Sequence, residues 1–227
     1  TLRIFPVAKS TEIMMLNETD WEPFAKDTGA SLDDLATIEG VVSTAKAYYE
    51  WTDGLTPDIL GDGRAFYGRD ALANYFIIGM QQLGVEIFQV ENGKMTLNVP
   101  KEELHRLWEN YYVPMVKGYF GAYGSFRSDD VKTGELLAYT GSTTSAMYFP
   151  NQVEQDDNTY SIDYMILGAP VFEGGQRCAV QQGAGMVVSK SDEQREYAAV
   201  EFLKWFTQGD KNLQFGCVSG YLPVLKE

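Results

Sequence analysis

A short apolar run passes directly into a cluster of hydroxyl side chains at Leu136-Leu137-Ala138-Tyr139-Thr140-Gly141-Ser142-Thr143-Thr144-Ser145. The apolar part, Leu136–Thr140, is typical of a buried β-strand. Four hydroxyls follow at Ser142–Ser145, where a strand leads into a predicted helix and backbone N–H groups are free to bind a ligand oxygen. Ligands of α/β proteins collect at such strand ends. The alternative is that these hydroxyls only cap the helix.

Strands and helices alternate on both sides of this turn. Glu12–Leu16 predicts another buried strand, and two alternating runs around Asn92-Gly93 predict a β-hairpin with a type I′ turn. Helices with capping boxes are predicted from Ser31 and over Ser191–Phe206. One hairpin among alternating strands and helices predicts an α/β fold with a mixed sheet.

Composition excludes several classes of function. The chain has 32 acidic and 18 basic residues, a net charge of −14, so it lacks the basic surface that binds nucleic acid or anionic lipid. Its one histidine, His105, lies off the apolar stripe of its helix and is predicted to be exposed, which leaves no Ser-His-Asp triad. With one histidine and two distant cysteines, we expect no metal and no cofactor, although a calcium site made only of carboxylates stays open.

Two further features are weak indications of a nucleotide-binding loop and of a glycoside hydrolase. Gln182-Gly183-Ala184-Gly185 contains a G-x-G without the third glycine of a dinucleotide-binding loop. These glycines more plausibly let one backbone segment pass close to another. A pair of catalytic carboxylates, as in glycoside hydrolases, also stays open because acidic residues are abundant and no pair stands out.

Several segments together resemble the extracellular solute-binding proteins of ABC importers, cluster one, which include maltose- and glycerol-phosphate-binding members. Their order and spacing carry the likeness, since each motif alone is loose. The segments are Phe5–Asn17, Gly134–Ser142, Ser191–Phe206 and Gly220–Val224. Leu16 departs from the tyrosine that the family usually has, and the family's Pro-x-Thr-Trp-x-Glu motif is replaced by Ser31–Asp34.

The resemblance implies a periplasmic-binding-protein-like lobe of type II with a mixed sheet, plus a partial second lobe. Residues 8–172 would form the second, C-terminal-type lobe, and residues 1–7 and 178–227 the hinge segments and part of the first lobe. The family's long βα run before this point is missing, so we expect a fragment whose signal segment or lipid anchor has been lost.

The resemblance also implies a site and a function. Ligand contacts are expected at seven residues: Ser10, Tyr67, Ser142, Thr143, Gln182, Gly183 and Tyr221. The expected protein is a monomer that binds a small polar solute, a sugar or oligosaccharide, without catalysis. It would act in the periplasm or, lipid-anchored, at the extracellular face of the membrane, and deliver the solute to the permease subunits of an ABC importer. A glycerol phosphodiester also fits, and the alternatives are a carboxylate-dependent glycoside hydrolase and a surface interaction domain without a ligand.

The family alignment further places Cys178 and Cys217 near the junction of the lobes. A disulfide between them would close the loop that carries the Ser191–Phe206 helix and would stabilise the protein by about 3–4 kcal/mol. The alternative is two separate buried thiols.

Overall fold

A computed structural model describes residues 4–155 and 158–225 of the chain. The described residues form ten strands: β1 (Phe5–Ser10), β2 (Glu12–Asn17), β3 (Tyr67–Arg69), β4 (Phe88–Glu91), β5 (Lys94–Leu97), β6 (Ala138–Ser142), β7 (Gln152–Gln155), β8 (Asn158–Ser161), β9 (Tyr164–Gly168) and β10 (Gln182–Met186). The α-helices are α1 (Glu18–Thr28), α2 (Ile38–Gly54), α3 (Leu72–Gln82), α4 (Lys101–Glu109), α5 (Tyr112–Val116), α6 (Arg127–Lys132), α7 (Glu193–Phe206) and α8 (Gly209–Ser219). None of the described helices is long and apolar enough to cross a membrane.

The chain divides into two compact units. The larger unit contains Glu12–Gly141 and Phe149–Ala179. The smaller unit contains Thr1–Thr11, Ser142–Tyr148 and Val180–Glu227.

A four-stranded sheet in the order β3-β6-β2-β9 organises the larger unit. β3 runs parallel to β6, while β2 runs antiparallel to β9, so the predicted mixed sheet of an α/β fold is confirmed. β2 has a neighbour on each side, and its Met14, Met15 and Leu16 are fully buried. A strand that is buried on both faces has a continuous run of apolar residues in its sequence. β2 has such a run at Ile13–Leu16.

An aromatic cluster packs α1 and α2 within the larger unit. The Phe24 ring meets the Tyr48 ring edge-to-face with centroids 5.3 Å apart, and Trp21 meets Phe24 in the same way at 5.4 Å. Such pairs add about 0.5–1.5 kcal/mol each beyond the burial of their area. The sequence patterns had not predicted α1, which begins at Glu18 and is capped by Asn17, the last residue of β2.

The helix predicted from Ser31 begins later than expected. The capping box between Ser31 and Asp34 is present, but it starts only a 3₁₀ turn over Leu32–Ala36. Thr37 is extended and forms a β-bridge with Val171, and α2 then starts anew at the next residue. A distant backbone partner therefore interrupts a helix that local signals predicted to be continuous.

Two other local predictions have opposite outcomes. The hairpin of β4 and β5 is confirmed, because Asn92 and Gly93 have φ values of 51° and 76°, as a type I′ turn requires. The predicted cap of the last long helix is wrong by one residue. Asp192, and not Ser191, caps α7 by accepting a hydrogen bond of 2.9 Å from the Arg195 N–H.

A buried ion pair ties β2 to β3 in the larger unit. Arg69 Nη2 lies 2.9 Å from Glu12 Oε2, and both side chains are almost fully buried. Asn74 Nδ2 donates to the other Glu12 oxygen over 3.0 Å, and Arg69 Nη1 donates to the Tyr67 hydroxyl. Burial raises the pKa of the Tyr67 hydroxyl, which therefore stays protonated and donates to Thr140 Oγ1 over 2.6 Å.

The smaller unit is built on a two-stranded antiparallel ribbon of β1 and β10. Val7 and Ala8 of the ribbon pack with Leu203 of α7. Asn212 of α8 donates from Nδ2 to the Val7 carbonyl over 2.8 Å. Gly183 of β10 has a φ of +141°, and a Cβ atom there would lie 2.1 Å from the Ala8 carbonyl oxygen. The prediction that a glycine here permits close backbone approach is confirmed.

Of the two alternatives for the cysteines, the structure shows separate thiols. Cys178 and Cys217 are both free, the first half-buried and the second exposed. The expectation that both thiols are buried is wrong for Cys217, which lies on the exposed surface of α8.

Loss of Arg69 should destabilise the larger unit strongly. The substitution Arg69→Met leaves the buried Glu12 carboxylate without its cation, and we expect the free energy of unfolding to fall by about 3–5 kcal/mol in urea denaturation. The control Lys46→Ala removes one partner of an exposed pair with Glu50 and should change stability by less than about 1 kcal/mol. Equal effects of the two substitutions would contradict this role of the buried pair.

A Cβ atom at Gly183 should disrupt the ribbon of the smaller unit. Gly183→Ala combines a strained φ with a clash against the Ala8 carbonyl, and we expect a loss of at least about 3 kcal/mol in the free energy of unfolding. Gly168→Ala is the matched control, because a Cβ atom there meets nothing within 4 Å. A stable, fully folded Gly183→Ala variant would show that the ribbon adapts without this glycine.

Candidate functional site

Six of the seven predicted ligand contacts lie in the smaller unit. Ser10 faces Gln182 across the ribbon, and Lys9 faces Gly183. Directly opposite residues of an antiparallel pair point to the same side, so the Ser10 and Gln182 side chains share one side of the ribbon. Lys9 points to the other side, because side chains alternate along a strand.

A second segment brings hydroxyl groups to the end of β1. We call Ser142–Thr144 the hydroxyl turn. Its Thr143 N–H donates to the Thr11 carbonyl over 2.8 Å, and Thr11 Oγ1 donates to the Val180 carbonyl over 2.8 Å. These two bonds hold the hydroxyl turn beside the strand end that carries Ser10.

The hydroxyl turn is also packed by the end of α8. Gly220 has a φ of +72°, and a Cβ atom there would lie 3.0 Å from Thr144 Cα. Tyr221 follows at once, and its ring stacks on Phe215 with centroids 6.0 Å apart. Phe215 thus supports one face of the Tyr221 ring beside the hydroxyl turn.

Two buried oxygens of the predicted contacts have no hydrogen-bond partner among the described residues. They are Thr143 Oγ1 and Gln182 Oε1. A buried polar atom without a partner costs about 1–3 kcal/mol, and native proteins keep few of them. A bound ligand or an ordered water that pairs with these atoms would remove the cost.

The chemistry of this group is neutral. Ser10, the hydroxyl turn and Gln182 supply hydroxyl and amide groups, and Tyr221 adds an aromatic ring. Within the described residues, no group of three or more His, Cys, Asp or Glu side chains could hold a metal ion. The set can donate and accept hydrogen bonds and can stack against a C–H face, which suits an uncharged polyhydroxylated molecule.

Tyr67 lies apart from the other six, in the larger unit. Its side chain is buried, and its hydroxyl is bonded to Thr140 and Arg69. These contacts give Tyr67 a packing role, and its role as a ligand contact stays a prediction. Conversely, Thr11 had not been predicted, and only its place next to Ser10 could have suggested it.

His105 is exposed, as predicted. Its Nδ1 lies 3.4 Å from an oxygen of Glu109 one turn away on the same helix. It is the only histidine of the chain, and it lies on the surface of α4.

Comparison with solved structures gives the fold. The chain matches UgpB from Mycobacterium tuberculosis in complex with glycerophosphocholine at a TM-score of 0.74 and 19% identity, over 98% of this chain and 53% of that one. It matches maltose-bound MalE3 of T. maritima with a TM-score of 0.69 and 15% sequence identity, over 99% of this chain and 55% of that one. A ribitol complex of a solute-binding protein from Agrobacterium radiobacter K84 matches with a TM-score of 0.66 and 19% sequence identity, over 97% of this chain and 53% of that one. The chain therefore spans about half the length of these proteins.

Sequence comparison gives the family. Proteins with curated functions provide no match to this sequence. A family model described as bacterial extracellular solute-binding protein matches residues 1–227. Since the match extends over the whole chain, this protein belongs to the bacterial extracellular solute-binding proteins.

Proposed function

We propose that this chain supplies part of the binding site for a sugar or another uncharged polyol, which the protein captures outside the cell for an ABC importer. The observation that carries the proposal is the pair of buried oxygens on Thr143 and Gln182 that find no hydrogen-bond partner in the described part of the chain. Both belong to a neutral group of hydroxyl and amide side chains. Membership of a solute-binding family supports the same role.

The neutral chemistry favours hydroxylated solutes over anionic ones. Maltose and ribitol, which two of the similar structures contain, offer several hydroxyl donors and acceptors and no charge. The ligand of the UgpB complex, glycerophosphocholine, is a zwitterion in which a choline cation balances the phosphodiester anion. Binding its phosphodiester group would call for a cation or a convergent set of N–H groups on the protein. The ribbon's Lys9 points away from Ser10 and Gln182, so no cation of β1 meets the ligand in this proposal.

We further propose that the protein acts by binding alone. The family is one of binding proteins, and neither the family nor the matched structures support the glycoside hydrolase or the surface domain without a ligand. Residues 8–172 would form the family's second lobe, and residues 1–7 and 178–227 the hinge segments and part of the first. The protein would work in the periplasm or, lipid-anchored, at the extracellular face of the membrane, beside the permease subunits.

Calorimetric titration with maltose, ribitol and glycerophosphocholine tests the ligand class. We expect an uncharged compound to bind more tightly than glycerophosphocholine, and we expect the compound to be recovered unchanged. Thr143→Val should weaken binding about 2–10-fold, because one hydrogen bond contributes about 0.5–1.5 kcal/mol.

The matched control is Thr159→Val. Thr159 is exposed on β8 of the larger unit, so this substitution should leave the affinity unchanged. Tighter binding of glycerophosphocholine would overturn the uncharged ligand class, and hydrolysis of maltose would overturn the proposal of binding without catalysis.

A further inference from the structure

The backbone of Tyr221 is fixed on both sides of this residue. Gly220 ends α8 with a φ of 72°, and its N–H donates to the Gly216 carbonyl over 2.9 Å. On the other side, Leu222 pairs with Lys9 of β1. The Leu222 N–H donates to the Lys9 carbonyl over 2.7 Å, and the Lys9 N–H donates back over 3.0 Å. Tyr221 is therefore held between the end of a helix and a strand of the ribbon.

The plane of the Tyr221 ring is fixed as well. The Tyr221 and Phe215 rings are nearly parallel, with an angle of 9° between their planes. Phe215 in turn meets the Phe206 ring edge-to-face, with centroids 5.1 Å apart. Both phenylalanines pack against the buried cluster of the smaller unit that contains Leu203. Because this packing locks the Phe215 side chain, Phe215 can hold the ring beside it in one orientation.

Phe215 covers one face of the Tyr221 ring and leaves part of the ring exposed. Tyr221 is only half-buried, and the preceding Gly220 packs on Thr144 of the hydroxyl turn. The ring therefore offers an apolar surface beside groups that form hydrogen bonds. A ligand that uses both needs a flat C–H surface as well as hydroxyl groups.

Ring closure of the ligand decides how well it matches such a surface. The face of an aromatic ring carries negative electrostatic potential, which attracts the positively polarised C–H bonds on one face of a sugar ring. An open-chain polyol has no such flat face, and it loses internal rotational freedom when it is held in one shape. A rigid ligand avoids this entropic cost of binding.

We propose that Phe215 is a positioning residue for ligand binding, which fixes the plane of the Tyr221 ring and thereby favours sugars closed into a ring over open-chain polyols. The inference rests on the proposed function and narrows its ligand class to cyclic sugars. The hydroxyl of Thr143 and the amide of Gln182 serve both kinds of ligand, because a hydrogen bond does not require a ring. Only the contact with Tyr221 distinguishes the two.

Calorimetric titration of the Phe215→Leu variant with maltose and with ribitol tests the proposal. Leucine keeps an apolar side chain but removes the ring that lies parallel to Tyr221. We expect the affinity for maltose to fall about 3–10-fold, the size of one aromatic contact, while the affinity for ribitol stays unchanged. The wild-type chain should bind maltose more tightly than ribitol.

Two further variants separate positioning from a general loss of structure. Phe215→Tyr keeps an aromatic ring at this position and should keep the wild-type affinity for maltose. Tyr197→Leu is the matched control, since it removes an aromatic ring of the same unit that is 67% exposed on α7, and it should leave both affinities unchanged. Unchanged ribitol binding by Phe215→Leu, together with its circular dichroism spectrum, reports that the site is still folded.

The outcomes distinguish this inference from the proposed function. An equal loss of affinity for maltose and ribitol in Phe215→Leu would overturn the positioning role, and so would a Phe215→Tyr variant as weak as Phe215→Leu. Tighter binding of ribitol than of maltose by the wild-type chain would overturn the preference for cyclic sugars. These three results leave the proposed function intact, whereas a wild-type chain that binds neither compound would overturn both.

Discussion

The positive charge of Arg69 inside the larger unit is the constraint around which its sheet is arranged. A buried cation must be paired, and its partner, Glu12, is the first residue of β2. Tyr67 and Thr140 extend the same network to β3 and β6. One buried charge therefore fixes the ends of three strands against one another, and Asn74 adds the first turns of α3 through its bond to Glu12.

The candidate site brings together segments that are distant in sequence. In the chain, Thr11 comes immediately before Glu12, and the hydroxyl turn comes two residues after Thr140. The hydrogen bond from the Thr143 N–H to the Thr11 carbonyl joins these segments within the smaller unit. It brings together residues that are 132 positions apart in sequence.

The sequence predicted features whose cause is local. The type I′ turn at Asn92-Gly93 depends only on the backbone freedom of two residues, and the capping box at Ser31 depends on hydrogen bonds across three. The break at Thr37 could not be predicted, because its bridge to Val171 joins residues 134 positions apart. The resemblance named Ser10 and Gln182 as ligand contacts but could not reveal that they lie opposite one another, since register depends on the whole ribbon. Tyr67 illustrates the same limit, as its buried bond to Thr140 depends on the parallel pairing of β3 with β6.

The two free thiols give this protein a practical handle for spectroscopy. Burial raises the pKa of the Cys178 thiol, so less of it is thiolate and it reacts more slowly with maleimides. Cys217 is exposed on α8, three residues before the glycine that packs on the hydroxyl turn. A fluorophore would therefore attach first at Cys217, close in sequence to the segment that packs on the hydroxyl turn. The native sequence already contains the attachment point of an optical sensor.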